Sequence, residues 1–354
     1  MQSFMRRTLA AFLLAGAVFA ASELKFDPLP APVSLNAVTG FRTHNQFLVF
    51  SFMGLGAKRP PDAVTTESYV LDLNGAGWSP IKPVPGITGR IATMAVNVRS
   101  NIFVLGGYVV DAHARGTAVP DVSLYEPHAN RWLREQDIPV PVGNAVIGTY
   151  QDRYIYLLGG RGNDGPVSDV QVYDTEKNRW SAATPLPGAA VFGHSGTLVG
   201  DTIVYIGGAA RNAAEEGPKY VLASECWMGK IDHHDHNKIQ WSKLPDHPGA
   251  ANFRIAAGGS EKDRMIYFSG GADALYDLKG FGADGKPVEP SPFTFAFNLR
   301  SAKWETISEN TPNPVMDEPT LIVTSEGLVV AGGMAKGQQV TARVTVLPKV
   351  VKGK

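Results

Sequence analysis

The sequence predicts an all-β fold: a ring of repeated four-stranded antiparallel sheets. Three observations carry this reading. Apolar strands ending in Gly-Gly recur along the chain, tryptophans follow them in a constant register, and 38 glycines and 25 prolines among 354 residues supply the turns that many short strands need. The chain is 44% hydrophobic and 19% charged, a globular composition, and its net charge is zero. That balance carries no electrostatic footprint for nucleic acid or an anionic membrane surface.

The first twenty residues read as a secretory signal rather than as structure. Arg6 and Arg7 form a basic start, residues 9–19 an apolar stretch, and Val18 and Ala20 place small residues before a cleavage point at Ala21. The apolar run is too short to span a bilayer comfortably. The expectation is therefore a signal peptide over 1–20, a single domain over 21–354, a periplasmic or secreted location and no membrane span in the mature protein. No cysteine stands at the cleavage point to take a lipid, and Arg6-Arg7 admits twin-arginine export beside the general route. Cys226 is the one cysteine, so disulfides within the chain are excluded and stability must come from core burial. Its neighbours Trp227 and Met228 mark it as a small buried hydrophobe rather than a reactive thiol.

The Gly-Gly strands are IFVLGG ending at Gly107, YIYLLGG at Gly160, IVYIGG at Gly208, MIYFSGG at Gly271 and LVVAGG at Gly333. A degenerate copy, FLVFSFMGLG, spans 47–56. The second glycines are 53, 48, 63 and 62 residues apart, and a period near 50 with four strands per unit is a propeller spacing. In the second half of each unit an aromatic strand residue (Tyr69, Tyr125, Tyr173, Trp227, Phe297) precedes a polar turn, and then come Trp78, Trp132, Trp180, Trp241 and Trp304. Six glycine positions against five such tryptophans leave the sixth unit one strand short, because residues 340–347 form only its third. Residues 24–32 resemble the segment that closes the other units, so an N-terminal strand is expected to complete the last one and close the ring, which also covers exposed edges.

Three long connections, 57–67, 209–222 and 272–292, fall at the same place in their units, between strands two and three, and are expected to cluster on one rim. Aligning the starts of the innermost strands puts Asn36, Arg90, Asn144, His194, Asn252 with Arg254, and Asp317 with Glu318 around a central mouth. As a set they are the best ligand-pocket candidate in the chain. Arg90 has the fork to hold a carboxylate, His194 and Glu318 are candidate proton-transfer groups, and Glu215 and Glu216 on the 209–222 connection are further candidate bases. Asn36, Asn144, Asn252 and Arg254 are candidate substrate contacts. The run Asp232-His233-His234-Asp235-His236 occupies the register of the 174–178 turn and reads as a solvated outer turn, so no metal site is assigned. No nucleophile elbow, HExxH or phosphate loop stands at a credible position.

These units resemble kelch repeats from Leu24 to Lys349, which implies a six-bladed kelch-type β-propeller with four antiparallel strands per blade. Among such proteins the layout is most similar to the bacterial sialic-acid mutarotases, also called N-acetylneuraminate epimerases. The matching features are the export segment, LPAPV at 29–33, the degenerate glycine turn at 53–56 and the position of Arg90. The resemblance implies an isomerase of carbohydrate metabolism that needs no cofactor, with an arginine holding a sugar acid and a carboxylate acting as base. The copper-radical oxidases also carry a kelch propeller, but their cysteine cross-linked to tyrosine has no counterpart, since Cys226 lies within a blade strand. A non-catalytic propeller that binds a glycan or protein at its loop rim is the alternative reading.

Overall fold

The computed structural model describes residues 26–58, 63–75, 77–86, 88–214, 216–318 and 320–349. Residues 1–20, where a signal peptide is expected, and Glu215 lie outside the described residues. Among the described residues no helix is long and apolar enough to cross a membrane.

Six principal antiparallel sheets follow one another along the chain. The third is the plainest, with strands Val146–Tyr150, Tyr154–Leu158, Val170–Asp174 and Arg179–Ala183 paired in sequence order. The first (from Ala37–Arg42), second (from Met94–Val98), fourth (from Ser195–Val199) and fifth (from Ala256–Ser260) also contain four strands in this order, and the first adds the short pair Val33–Ser34. The sixth has three: Ile322–Val323, Leu328–Ala331 and Val344–Leu347. Middle strands such as Val170–Asp174 are buried on both faces, because each sheet is sandwiched between two others.

Apolar side chains fill each gap between successive sheets. Tyr156, Val172, Ile203 and Tyr205 join the third and fourth, and Val204, Ile206, Phe268 and Phe297 join the fourth and fifth. Val38, Val49, Ile322 and Val329 join the sixth to the first. Backbone hydrogen bonds repeat the same circuit. The second glycine of each pair donates its N–H to a carbonyl in the next sheet: Gly54 to Arg90 (3.1 Å), Gly107 to Val142 (2.9 Å), Gly160 to Val191 (2.9 Å), Gly208 to Asn252 (2.6 Å), Gly271 to Val315 (3.0 Å) and Gly333 to Val33 (2.8 Å). Both residues of every pair take positive φ, which includes Met53 and Gly54. The degenerate turn is therefore centred on Gly54, two residues before Gly56, where the repeat count placed it. A Cβ on Gly270 would stand 2.1 Å from the Val315 carbonyl, so the close approach of neighbouring sheets requires glycine there.

On the outside, Trp132, Trp180 and Trp304 donate their indole N–H to carbonyls of the preceding sheet's last segment, those of Lys82, Gln136 and Pro245. Trp78 donates to Asp27 in the same way (3.0 Å). The N-terminal segment thus occupies the outer place beside the sixth sheet, and Leu29 N–H bonds to the Ala342 carbonyl (2.7 Å). No ladder forms over the described residues 26–32, where a strand was expected. Pro28, Pro30 and Pro32 remove every second N–H donor and leave isolated bonds in place of a ladder.

Candidate functional site

Just before each innermost strand, one residue per sheet adopts a left-handed backbone: Leu35, Ala92, Asn144, Gly193, Arg254 and Asp317. Five backbone hydrogen bonds link them into a girdle, with Ala92 N–H to Leu35 O, Asn144 to Ala92, Gly193 to Asn144, Arg254 to Gly193 and Leu35 to Asp317, all between 2.8 and 3.1 Å. Four of them, Leu35, Ala92, Asn144 and Arg254, line the mouth pocket above.

Above the girdle, short hairpins grow from the connections between second and third strands. Tyr108–Val110 pairs with Gly116–Ala118, Ala209–Arg211 with Tyr220–Leu222, and Met334–Ala335 with Gln339–Val340. The connection over 209–222 is thus a hairpin, and it adds a strand partner for Val191–Phe192. Together with the 272–292 loop, the first two of these hairpins line a mouth pocket of about 630 Å³. The clustering expected for 209–222 and 272–292 is seen in its walls, through Tyr220 and residues 275–279. The Tyr108 hairpin was not singled out in the sequence. Of the first long connection, residues 59–62 lie outside the described residues, and Ala63 packs beside Leu35, Ile91 and Tyr108.

Two guanidiniums reach this pocket over aromatic rings. Arg161 lies 5.2 Å from the Tyr108 ring centroid and 5.9 Å from that of Phe192. Arg254 lies 4.8 Å from Phe253 and 5.1 Å from Tyr276. Arg254 Nη1 also donates to Asp317 Oδ1 at 2.6 Å, and the Tyr276 hydroxyl donates to the same oxygen at 2.9 Å. Burial, then the Asp317 charge, pushes the Tyr276 phenol well above its ordinary range, which keeps it a donor. Arg161 has no carboxylate within ion-pair distance among the described residues. Its signal in the sequence was a charge directly after Gly159-Gly160, where other units carry Leu55, Tyr108, Ala209, Ala272 and Met334.

The residues expected at the mouth separate by register. Arg254 and Asn144 line the pocket. Asn144 also lines a second cavity of about 260 Å³ between the inner strands on the other side of the girdle, and His194 lines that one. Asn36, His194 and Glu318 stand one residue past the girdle, and the strand's alternation turns them inward. Asn36 Nδ2 donates to Ser51 Oγ (2.9 Å) and to the Ala331 carbonyl (3.2 Å). Glu318 is 1% exposed, with Oε1 accepting the Thr320 N–H (3.1 Å). Burial, with the nearby Asp317 charge adding to it, pushes its carboxyl well up. Neither His194 nitrogen makes a hydrogen bond of ordinary geometry, although the Leu158 carbonyl acts on the ring, and burial brings its pKa down to about 4. Arg90 and Asn252 stand two residues before the girdle. Arg90 donates to the Gly106 carbonyl (2.9 Å), and burial lowers its pKa to about 10. Asn252 Oδ1 lies 3.1 Å from His247 Nε2, and its Nδ2 donates to Ala250 O. Arg90, Asn36 and Asn252 hold the scaffold and do not line the mouth. Glu216 sits exposed on the hairpin turn, away from the pocket walls.

Eight of nine buried side-chain polar atoms without a protein partner, among the described residues, lie within one residue of the girdle. They belong to Ser34, Asn36, Thr93, His194, Arg254, Asp317 and Glu318. Trp241 Nε1 is the ninth, so the orphaned polarity is concentrated at the girdle. Cys226 is fully buried with its thiol pushed up to about 11, an inert position. Residues 232–236 form the outer turn between Cys226–Ile231 and Ile239–Leu244, where Asp232 Oδ1 accepts the backbone N–H groups of His234 and Asp235.

Repeated four-stranded sheets, glycine pairs at each sheet junction and indole locks at the rim define a kelch-type propeller. The KLHDC2/KLHL20/DRC7 Kelch-repeats domain matches residues 43–271, more than half of the chain, and the protein belongs to the Kelch-repeat family. It is 29% identical to Kelch-like protein 15 of Gallus gallus over 149 residues, covering 38% of this chain and 30% of that protein. The Mus musculus protein of the same name is 28% identical over 111 residues, 31% of this chain and 18% of the relative. The chain thus spans less than a third of the length of these relatives. Among solved structures, that of YjhT superposes with a TM-score of 0.72 at 17% identity, covering 93% of this chain and 98% of that one, a likeness of fold.

Proposed function

We propose that the protein is an exported, cofactor-independent mutarotase that binds an acidic sugar of the sialic-acid class in the mouth pocket and interconverts its anomers. The observation that carries this reading is the pair of guanidiniums, Arg161 and Arg254, laid on aromatic rings around one pocket of about 630 Å³. Guanidiniums recognise a carboxylate through paired N–H donors, and aromatic faces pack against the apolar side of a sugar ring. The sequence resemblance to the sialic-acid mutarotases supports the same class.

The reaction removes the proton of the anomeric hydroxyl and protonates the ring oxygen as the bond between that oxygen and the anomeric carbon breaks. The open-chain ketone then closes on its other face, with the two proton transfers reversed. Asp277 is the carboxylate in the pocket wall, and it is the base in this reading. Its Oδ1 accepts the Lys279 and Phe281 N–H groups at 2.8 and 3.1 Å, which leaves Oδ2 for substrate. Glu318 and His194, buried beneath the girdle, hold its interior uncharged and carry no proton to the sugar. The test is NMR of freshly dissolved N-acetylneuraminate. Faster anomer equilibration with the protein, lost in Asp277→Asn, supports the reading, and no acceleration at micromolar protein overturns it.

A second reading, a non-catalytic glycan-binding propeller, is favoured by one observation: Glu318 and Glu216 do not line the pocket, which leaves Asp277 as its one carboxylate among the described residues. Saturation transfer to the sugar without faster anomer exchange would select it. Export is tested by sequencing the N-terminus of the exported protein, expected to begin at Ala21.

A further inference from the structure

The charges around the mouth do not all act on a ligand. Asp317 is fully buried behind the girdle, and one of its oxygens takes both the Arg254 guanidinium and the Tyr276 hydroxyl. The Arg254 charge is thereby matched by a carboxylate 2.6 Å away in a site shielded from water, where the pair presents a dipole rather than a net charge. On the pocket wall Asp277 and Lys279 carry one charge of each sign, so together they add no net charge. Glu318 stands beneath the girdle and does not line the pocket. Among the described residues, Arg161 is left as the pocket charge without an opposite partner, held over Tyr108 and Phe192.

We infer that Asp317 is a specificity-determining residue: by neutralising Arg254 it limits the mouth to singly charged sugar acids and rejects their phosphorylated, multiply charged forms. This rests on the acidic-sugar reading above. A monoanion balances Arg161 and leaves the largely apolar pocket neutral. A phosphate ester brings about two further negative charges into the same space without a counter-charge, and a desolvated unpaired charge is expensive. The device works without contact between Asp317 and the ligand. The residue sets what Arg254 has left to offer, while Tyr276 keeps the 272–292 loop seated on it.

The test uses one sugar skeleton at three charges: N-acetylneuraminate methyl ester, N-acetylneuraminate, and its 9-phosphate. Binding is measured calorimetrically at pH 8, where an ordinary imidazole is neutral. The wild type is expected to bind the free acid about tenfold or more tighter than either the ester or the phosphate. Asp317→Asn keeps the acceptor for Arg254 and Tyr276, and asparagine tolerates the residue's φ of 61°. It should shift the phosphate-to-acid affinity ratio about tenfold toward the phosphate, a shift that 0.5 M salt diminishes. The double change Arg254→Gln with Asp317→Asn removes both charges together and should return that ratio to the wild-type value, with all three ligands weakened alike. Arg161→Gln should abolish the preference for acid over ester, and this decides the matter should Asp317→Asn not fold. An unchanged ratio in folded Asp317→Asn, or loss of the acid preference in the double variant with its retention in Arg161→Gln, overturns the inference alone. A wild type that binds acid and phosphate equally does the same, whereas one that binds none of the three overturns the acidic-sugar reading with it.

Discussion

Glu318 and His194 are neighbours in register, both one residue past the girdle and both buried, and they titrate in opposite senses. Burial raises the Glu318 carboxyl well above its ordinary 4.5 in the fold, whereas the unfolded chain ionises it near that value. Its contribution is therefore full below that value and is lost as pH rises, at about 1.4 kcal/mol per pH unit until the folded-state group titrates. His194 is neutral in the fold down to about 4 and ionises in the unfolded chain near 6.5, so its contribution is full above 6.5 and is lost as pH falls. That loss amounts to roughly 3 kcal/mol across the window. From 4.5 upward the two contributions change in opposite directions, Glu318's falling and His194's rising up to 6.5. In chemical denaturation across pH, Glu318→Gln is expected to leave stability rising from about 4 to 6.5, and His194→Gln to leave stability falling as pH rises from 4.5. A Glu318→Gln profile parallel to the wild type's would show that the carboxyl titrates alike in the fold and in the unfolded chain. At this scale the sequence was partly legible. Polar residues near the inner-strand starts were visible, but which of them faces the mouth depends on an offset of one or two residues. Only the left-handed φ at Asn144, Arg254 and Asp317 fixes that offset. Arg161 stayed hidden because Gly159-Gly160 reads as repeat punctuation, which draws the eye from the charge that follows.

Blade elements were legible for the opposite reason, since a repeated register averages out local ambiguity. Tyr173 pairs with Trp180 across adjacent strands, their ring centroids 5.0 Å apart, and Tyr125 with Trp132 at 4.8 Å. Asn178 and Asn130 occupy left-handed turn positions, where each side-chain oxygen takes the tyrosine hydroxyl and an N–H from the preceding sheet (Gln136 and Lys82). One asparagine thus closes a hairpin and joins two sheets. The indole locks give a graded prediction, because Trp241 Nε1 has no partner while Trp180 Nε1 donates to Gln136 O at 3.0 Å. Trp180→Phe should cost about 1 kcal/mol more than Trp241→Phe in urea unfolding, the net worth of one hydrogen bond. Trp180→Ala should cost ~2–4 kcal/mol, below the value for a fully buried tryptophan because the ring is half-exposed. Equal costs for the two Phe variants would remove the indole bond from the account. What the repeat concealed was Met53 in the first glycine position of its unit, and with it the centre of the first turn.

For the whole molecule, the junction between the sixth and first sheets is the one that chain continuity does not supply. It rests on Gly333 N–H to Val33 O, Leu35 N–H to Asp317 O, the Leu29 bond to Ala342 and apolar contact between Val38 and Ile322. Gly332 has a φ of 92° and its Cβ would meet the Val33 carbonyl at 2.5 Å, so Gly332→Ala should cost more than ~3 kcal/mol by strain and loss of the junction. Gly337 also has positive φ (73°) but nothing within 4 Å, and Gly337→Ala should cost only about 1 kcal/mol. A thermal melt of the two variants separates backbone strain from junction loss, and equal shifts would mean the junction carries no weight. The girdle has one more consequence, which concerns descent rather than stability. Its members are held to one another by main-chain groups, so the ring depends little on most of their side chains, although a Cβ on Gly193 would stand 2.4 Å from Phe253. Leucine, alanine, asparagine, glycine, arginine and aspartate already coexist there. Selection can therefore rewrite the chemistry of the mouth one position at a time while the ring stays folded, and lineages with this scaffold should diverge in ligand far sooner than in shape.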